Sequence, residues 1–498
     1  MVTLVGAGPG GRALLTIAGA EAIRQSEVAV YDRLVSEDIL ELLPEHAERI
    51  NVGKESSHHP VPQPEINEIL ARYGKSGKNV VRIKGGDCYL FGRGGEECEY
   101  LLEQGVPFRV IPGVTSALAV PAFAGIPVTH RDFCSSVHII TAHAKKGAPL
   151  QIDYYNLVRM RGTLVFLMGV TALKEICEGL MSAGIDPCLP AAVIENGARP
   201  QQRKLVSTVY QLPEAAREMG LKSPAVIVVG KVCGLSDRLD WFTPLPLHGK
   251  TLVVTRPKAR AGTLSARLRA LGAEVLECPC IETALRKDLS PLEQALRHPH
   301  DWAVFTSPTG VDLAVQALRA IGRDLRALYG MRLAAVGRGT AEALEKYGLT
   351  ADLVPAQYDG VHLAEALQKE LPSDGSVLLL RASAGGEALP ELLRDAGATI
   401  SDIPVYDTVC RTENQEGLRA RLSAKEVDAA IFASGSAVRG FARVTEGCGL
   451  SGLPAICIGA QTAAVAAQQH MTIHTAKAAT IDSLVDCALE VLAEGDIK

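Results

Sequence analysis

The sequence is poor in aromatic residues, at 4% of 498 positions, contains no low-complexity segment, and has no apolar run long enough to span a bilayer. The chain opens directly on V-T-L-V-G, with no basic segment ahead of a long apolar one, so a cytoplasmic protein without a membrane partner is expected. A surplus of positive charge is missing too. Residues 1–250 carry 26 Lys+Arg against 26 Asp+Glu, and of the totals of 51 and 56 the remainder holds 25 against 30. Net charge is therefore 0 in the first half and −5 in the second, which argues against binding nucleic acid by general attraction. The 12 cysteines are scattered. Only Cys278 and Cys280 have a close metal-type spacing, and they lack a second pair or a nearby His, so structural thiols and no metal are expected.

What the chain does have is glycine, 47 residues of it, with 21% charged residues, a balance that fits α/β architecture with many strand-to-helix turns. The length suggests roughly two to four domains. Five of the glycines lie in Lys84–Glu97, K-G-G-D-C-Y-L-F-G-R-G-G-E-E, directly after the apolar run Val80, Val81, Ile83. A turn with so few Cβ atoms is either a surface loop or a place where a ligand approaches the backbone closely.

Earlier, Val2–Val5 reads as a buried strand, followed by Gly6-Ala7-Gly8-Pro9-Gly10-Gly11 and a helical stretch, which literally contains G-x-G-x-x-G. Glu27–Tyr31 reads as a second strand ending in Asp32, completing a superficial dinucleotide fingerprint and keeping a nicotinamide enzyme among the alternatives. Arg49–Val52 is a third strand ending in Gly53-Lys54. In a parallel sheet Asp32 and Lys54 project from the carboxyl edge, where one carboxylate and one ammonium suit proton transfer; the plainer alternative is two solvated loop charges. Phe108–Ile111 is a further strand, leading to P-G-V-T-S-A and then G-I-P-V-T-H-R.

Taken in order, V-G-A-G-P-G, Y-D-R-L-V, V-G-K, K-G-G-D, F-G-R-G-G-E-E, P-G-V-T-S-A and G-I-P-V-T-H-R resemble uroporphyrinogen-III C-methyltransferase over residues 1 to about 243. The resemblance implies a tetrapyrrole-methylase fold of two α/β lobes with S-adenosylmethionine between them, and a homodimer. It implies cofactor contacts at Pro9, Gly85, Gly86, Asp87, Leu90, Thr115, Ser116, Met168 and Gly197, a proton acceptor at Asp32 and a donor at Lys54. Apart from the resemblance, Met168 in T-L-V-F-L-M-G reads as core packing. Cys88-Tyr89 stands where relatives commonly show Pro-Phe, and Thr141-Ala142-His143 where Thr-Gly-His is usual. Cys88 has no base beside it and is not expected to be a nucleophile. Arg93 and Glu96-Glu97 match the family pattern without a catalytic rationale, and a structural turn network accounts for them equally well.

The Pro-rich stretch Trp241–Gly249 marks a boundary, with residues 244–249 as linker between domains 1–243 and 250–498. Beyond it the chain repeats: Thr251–Thr283 matches Ser376–Thr408, and D-W-A-V-F-T-S-P-T-G-V and A-A-V-G-R-G-T-A-E-A-L match later segments. The repeat aligns Arg256 with Arg381, Ser307 with Ser434 and Thr340 with Thr462. The two threonines stand beside Gly337 and Gly459 at helix starts, suited to carboxylates or simply to capping. These features resemble uroporphyrinogen-III synthase, which implies a two-lobe parallel α/β fold. The lobes are expected at about 250–281 plus 409–498, and 282–408. The resemblance also makes Tyr406 the candidate acid, and the six aligned residues candidate contacts for a polycarboxylate substrate.

Together the two resemblances imply consecutive reactions on tetrapyrrole substrates. Hydroxymethylbilane is cyclised to uroporphyrinogen III with inversion of the last ring, and that product is methylated twice to precorrin-2, on the route to siroheme or cobalamin. The alternative is a methylase of another corrinoid with a non-catalytic C-terminal binding module.

Overall fold

Short apolar runs between glycine-rich turns become four five-stranded sheets in the computed structural model, which describes residues 1–53, 61–142, 150–255, 258–410 and 416–493. Two compact units divide the chain, one holding Met1–Leu252 with Thr263–Leu276 and the segment from Val485 onward, the other Val253–Gly262 with Glu277–Leu484.

The first sheet is built from β1 (Val2–Gly6), β2 (Val28–Tyr31), β3 (Glu48–Asn51), β4 (Val80–Lys84) and β5 (Phe108–Ile111), in the order β3-β2-β4-β1-β5. All its pairings are parallel. Apolar clusters that include Leu4, Val28, Val30 and Leu70, and Val5, Ile23, Ala29 and Ile83, bury it. A parallel sheet covered on both faces demands the near-continuous apolar strands seen in the sequence. The second sheet holds β6 (Val137–Thr141), β7 (Thr163–Leu167), β8 (Pro190–Glu195), β9 (Arg203–Thr208) and β10 (Ala225–Val229), in the order β6-β7-β10-β8-β9. Here only β6 and β7 run parallel; β7-β10, β10-β8 and β8-β9 are antiparallel.

The remaining strands are β11 (Thr251–Val254), β12 (Glu274–Glu277), β13 (Ile281–Leu285), β14 (Trp302–Phe305), β15 (Arg332–Ala335), β16 (Ser376–Ala382), β17 (Thr399–Cys410), β18 (Ala429–Phe432), β19 (Pro454–Cys457) and β20 (Thr472–Thr475). They form sheets of order β12-β11-β18-β19-β20 and β13-β17-β16-β14-β15. The sequence repeat equates β11 with β16 and β14 with β18, yet neither copy makes a sheet by itself. β11 and β12 of the first copy join β18 and β19 of the second, while β16 and β17 of the second join β14 and β15 of the first. The two halves of each repeat are exchanged. As expected of a parallel α/β fold, β14-β15, β14-β16, β16-β17, β18-β19 and β19-β20 are parallel, whereas β13 pairs antiparallel with β17. The 12 residues of β17 are long enough to pair with β16 through Thr399–Tyr406 and with β13 through Tyr406–Cys410.

Among the described residues, no helix is long and apolar enough to cross a membrane, and no group of three or more His, Cys, Asp or Glu could hold a metal ion.

Candidate active site

Three loops at the carboxyl edge of the first sheet meet backbone to backbone. Gly8 N–H donates to Gly86 O at 3.1 Å and Gly86 N–H to Gly8 O at 2.9 Å. A Cβ on Gly113 would lie 2.3 Å from Gly86 O and 2.6 Å from Gly6 Cα, so the turn after β5 closes onto both neighbours only because it lacks a side chain. Asp87 locks the arrangement: Oδ1 accepts from the N–H groups of Tyr89 and Leu90 at 2.8 and 3.1 Å, and Oδ2 from Gly113 N–H at 2.9 Å.

These bonds occupy the backbone of Gly86. Its N–H and C=O are already paired with Gly8, so what it offers a ligand is space. With φ at 70°, a Cβ there would meet nothing nearer than Ser116 N, 3.9 Å away. Thr115 caps the following helix, Ser116–Phe123, its Oγ1 accepting from Ala117 N–H at 3.3 Å. Gly85 lies beside Leu34, and Leu90 packs on the apolar cluster of the second sheet that includes Val120, Val165 and Ile194.

The second sheet contributes strained residues. Met168 directly follows β7 with φ 57° and is 45% exposed, so it is not core packing. Asn196 and Ala198 have φ 50° and 60° around Gly197, whose added Cβ would strike Val120 Cγ1 at 2.2 Å. Left-handed backbone at non-glycine residues costs about 1–2 kcal/mol each and gathers at ligand sites. Gly197 itself is explained by packing. Arg199, not singled out from the sequence, reaches Pro9 O at 3.4 Å through Nε and Leu34 O at 2.7 Å through Nη2, tying the 196–202 turn to the first sheet's loops.

Asp32 follows β2, its side chain 32% exposed, and Arg82 Nη2 donates to its Oδ1 at 2.7 Å. Arg82 is a buried cation on β4, and its Nε donates to Glu97 Oε1 at 3.2 Å. Burial alone would lower the guanidinium's pKa, but the charges of Asp32 and Glu97 outweigh it and raise the value above the ordinary one. Lys84, two residues along the same strand face, donates to Glu97 Oε1 at 2.8 Å. This buried network was the main feature missed in the sequence; the signal for it was two cations in the otherwise apolar run V-V-R-I-K. Arg93 and Glu96 form an exposed pair, with Arg93 in left-handed backbone at φ 59°. Cys88 is fully buried, and burial pushes its thiol up to about 12, consistent with its being no nucleophile. Lys54, the expected donor, and His143 lie outside the described residues.

In the second half, Ser307 caps the helix Pro308–Ala320, with Oγ accepting from Gly310 N–H at 2.8 Å, and also lies 3.1 Å from the Tyr406 hydroxyl. Ser434 repeats the cap on Gly435–Val444, accepting from Ala437 N–H at 3.2 Å. Thr340 and Thr462 are buried third residues of eight-residue helices whose caps are Gly337 and Gly459, so capping does not account for them. Because of the strand exchange, Ser307, Thr340, Arg381 and Tyr406 belong to one sheet, and Ser434 and Thr462 to the other. Arg381 is engaged within the protein. Its Nε and Nη2 bind Asp402 at 2.7 and 2.6 Å, Nη2 also meets Glu387 at 2.9 Å, and Nη1 donates to Gly386 O at 2.9 Å. Arg256 lies outside the described residues.

A pair of α/β sheets whose loops meet through glycines is followed by two sheets of exchanged repeats, and comparison with known proteins assigns the first part to the tetrapyrrole methylases and the second to the uroporphyrinogen-III synthases. The family described as tetrapyrrole (corrin/porphyrin) methylases matches residues 1–213, and the family described as uroporphyrinogen-III synthase HemD matches 262–486. The porphyrin biosynthesis protein HemD of Ruminiclostridium josui is 44% identical over 492 residues, covering 98% of both chains. The chain belongs to that protein's family. Siroheme synthase 2 of Klebsiella pneumoniae is 49% identical over 242 residues, 49% of this chain, and the chain spans about half, 52%, of that relative's length. A solved uroporphyrin-III C-methyl transferase from Thermus thermophilus, complexed with S-adenyl homocysteine, is 36% identical, covers 47% of this chain and 99% of its own, and has a TM-score of 0.41.

Proposed function

We propose that residues 250–498 cyclise hydroxymethylbilane to uroporphyrinogen III with inversion of the last ring, and that residues 1–243 methylate that product twice with S-adenosylmethionine, giving precorrin-2 for siroheme or cobalamin. The observation that carries this is the joining, in one chain, of a methylase match and a synthase match. The product of one chemistry is the substrate of the other.

The open space over Gly86, facing Ser116 N–H, suits a cofactor held close to the backbone. When bound there, S-adenosylmethionine supplies a sulfonium methyl, an electrophile already activated for attack by an electron-rich pyrrole carbon. The chain's own work is alignment and exclusion of water. Pro9, Gly85, Gly86, Leu90, Thr115, Ser116 and Met168 form the proposed lining, with Asp87 and Gly197 shaping it from behind. Asp32 accepts the proton released from the methylated ring, and Lys54 is the donor.

In the synthase half, Ser307, Ser434, Thr340 and Thr462 stand at four helix N-termini, whose N–H groups favour carboxylates. Tyr406 donates a proton to the departing hydroxyl. A cytoplasmic homodimer joined through the methylase part belongs to the same proposal.

Incubating the purified protein with hydroxymethylbilane and methyl-labelled S-adenosylmethionine tests both halves. Precorrin-2 is the expected product. Absence of label in the tetrapyrrole overturns the methylase assignment, and accumulation of the uninverted ring alone overturns the synthase assignment.

A further inference from the structure

Glu97, in the helix Gly94–Glu103, is 0% exposed. Its Oε1 accepts from Lys84 Nζ at 2.8 Å, Gln63 Nε2 at 3.1 Å and Arg82 Nε at 3.2 Å, while its Oε2 is buried with no hydrogen-bond partner among the described residues. As a device for stability this is poor. A buried carboxylate oxygen without a donor costs about 1–3 kcal/mol, and buried ion clusters are often no more stabilising than apolar side chains of similar volume. The cluster leads somewhere, however. Lys84, Glu97, Arg82 and Asp32 are joined in that order with alternating charge, and only Asp32, at 32%, is appreciably exposed.

A guanidinium binds a carboxylate most strongly through two parallel N–H donors. Arg82 does not do this with Asp32. Its Nε is taken by Glu97, its Nη1 lies 3.4 Å from Ile83 O, and only Nη2 reaches Asp32, at Oδ1. Asp32 Oδ2 receives no hydrogen bond from the described residues. We propose that Glu97 is a positioning residue for methylation: by holding the Nε edge of Arg82, it limits that guanidinium to one bond with Asp32 and leaves Oδ2 free to take the substrate's proton. Without Glu97, Arg82 turns its Nε–Nη2 edge onto Asp32 and occupies both oxygens. The inference rests on the reading of Asp32 as proton acceptor.

The test is a double-mutant cycle in the full-length protein, supplied with uroporphyrinogen III and S-adenosylmethionine, with single-turnover methylation rate and S-adenosylhomocysteine affinity as readouts. Glu97→Gln is expected to slow methylation on the order of tenfold, with affinity changed less than about twofold, and to have almost no further effect in an Asp32→Asn background. Equal slowing in both backgrounds, or a loss of affinity that matches the loss of rate, overturns the proposal and makes Glu97 purely structural. If Glu97→Gln does not fold, Gln63→Met takes its place, removing one donor to Oε1 at a partly exposed position and keeping all four charges. A smaller slowing that disappears with Asp32→Asn supports the proposal, and an unchanged rate overturns it. Unimpaired methylation by Asp32→Asn alone overturns the proton-acceptor reading itself, a result distinct from the other two.

Discussion

Arg82 Nη2 donates to Asp32 Oδ1 at 2.7 Å, a bond between a cation 2% exposed and a carboxylate 32% exposed. It ties the reach of Asp32 to the packing of β4, so the carboxylate acts as part of the sheet edge and not as a free loop charge.

Asp32→Asn keeps the shape and an acceptor oxygen for Arg82 while removing the base. Methylation is expected to fall at least about 100-fold, within the usual range for losing general-base catalysis. S-adenosylhomocysteine affinity, measured by calorimetry, is expected to stay nearly intact; equal losses of both would assign Asp32 to cofactor binding or folding.

Gly86 and Gly113 separate ligand space from packing. Gly86→Ala puts a methyl into the open space and strains a residue at φ 70°, so affinity for S-adenosylhomocysteine should drop about tenfold or more. In Gly113→Ala the methyl meets Gly86 O at 2.3 Å, and denaturation should show about 2 kcal/mol of lost stability as well.

Tyr406→Phe removes the hydroxyl 3.1 Å from Ser307 Oγ and leaves the buried ring in its apolar cluster with Phe305 and Val311. Stability is expected to change by no more than about 1 kcal/mol, whereas cyclisation should slow. A full cyclisation rate, followed by uroporphyrinogen III formation, would take Tyr406 out of the chemistry.

Arg381→Ala strips Asp402 and Glu387 of their shared cation and should cost about 3 kcal/mol in urea unfolding. Arg381→Lys is not expected to restore it, because an ammonium cannot reproduce the two parallel bonds to Asp402. If Arg381→Ala were as stable as the parent and weakened substrate binding instead, the guanidinium would be a substrate hook after all.

His300 is 8% exposed, its Nε2 is 2.9 Å from Ser401 Oγ, and its Nδ1 has no hydrogen-bond partner among the described residues. Burial lowers its pKa, so the unfolded chain takes up this proton more readily than the folded one. The associated stability is therefore fully present above the ordinary imidazole value of about 6.5 and is lost as pH falls below it. Urea midpoints measured between pH 7.5 and 5.5, which bracket that value, should show a shallower slope in His300→Phe. An identical slope would exclude His300 as a source.

The strands of the first sheet were legible because parallel strands buried on both faces must be continuous apolar runs, as in Val2–Val5 and Phe108–Ile111. The candidate site was legible in outline, since glycines at 6, 86 and 113 stand where backbones meet. Its details were less so. Nothing local shows that Gly86 spends its N–H on Gly8, that Asp87 braces Gly113, or that Met168 is exposed, because each depends on a partner or a neighbour distant in sequence.

By itself the sequence determined the class of chemistry and the presence of a repeat, for these rest on residue types at fixed spacing. The exchange of repeat halves follows from the lobes expected at about 250–281 plus 409–498, and 282–408, but the antiparallel pairing of β13 with β17 was decided only by tertiary structure, because it depends on β17 continuing past β16 to meet a strand from the other copy. The same holds for Glu97. Its place between Lys84 and Arg82 in a buried charge line exists only once the helix after the glycine-rich loop packs over both cations.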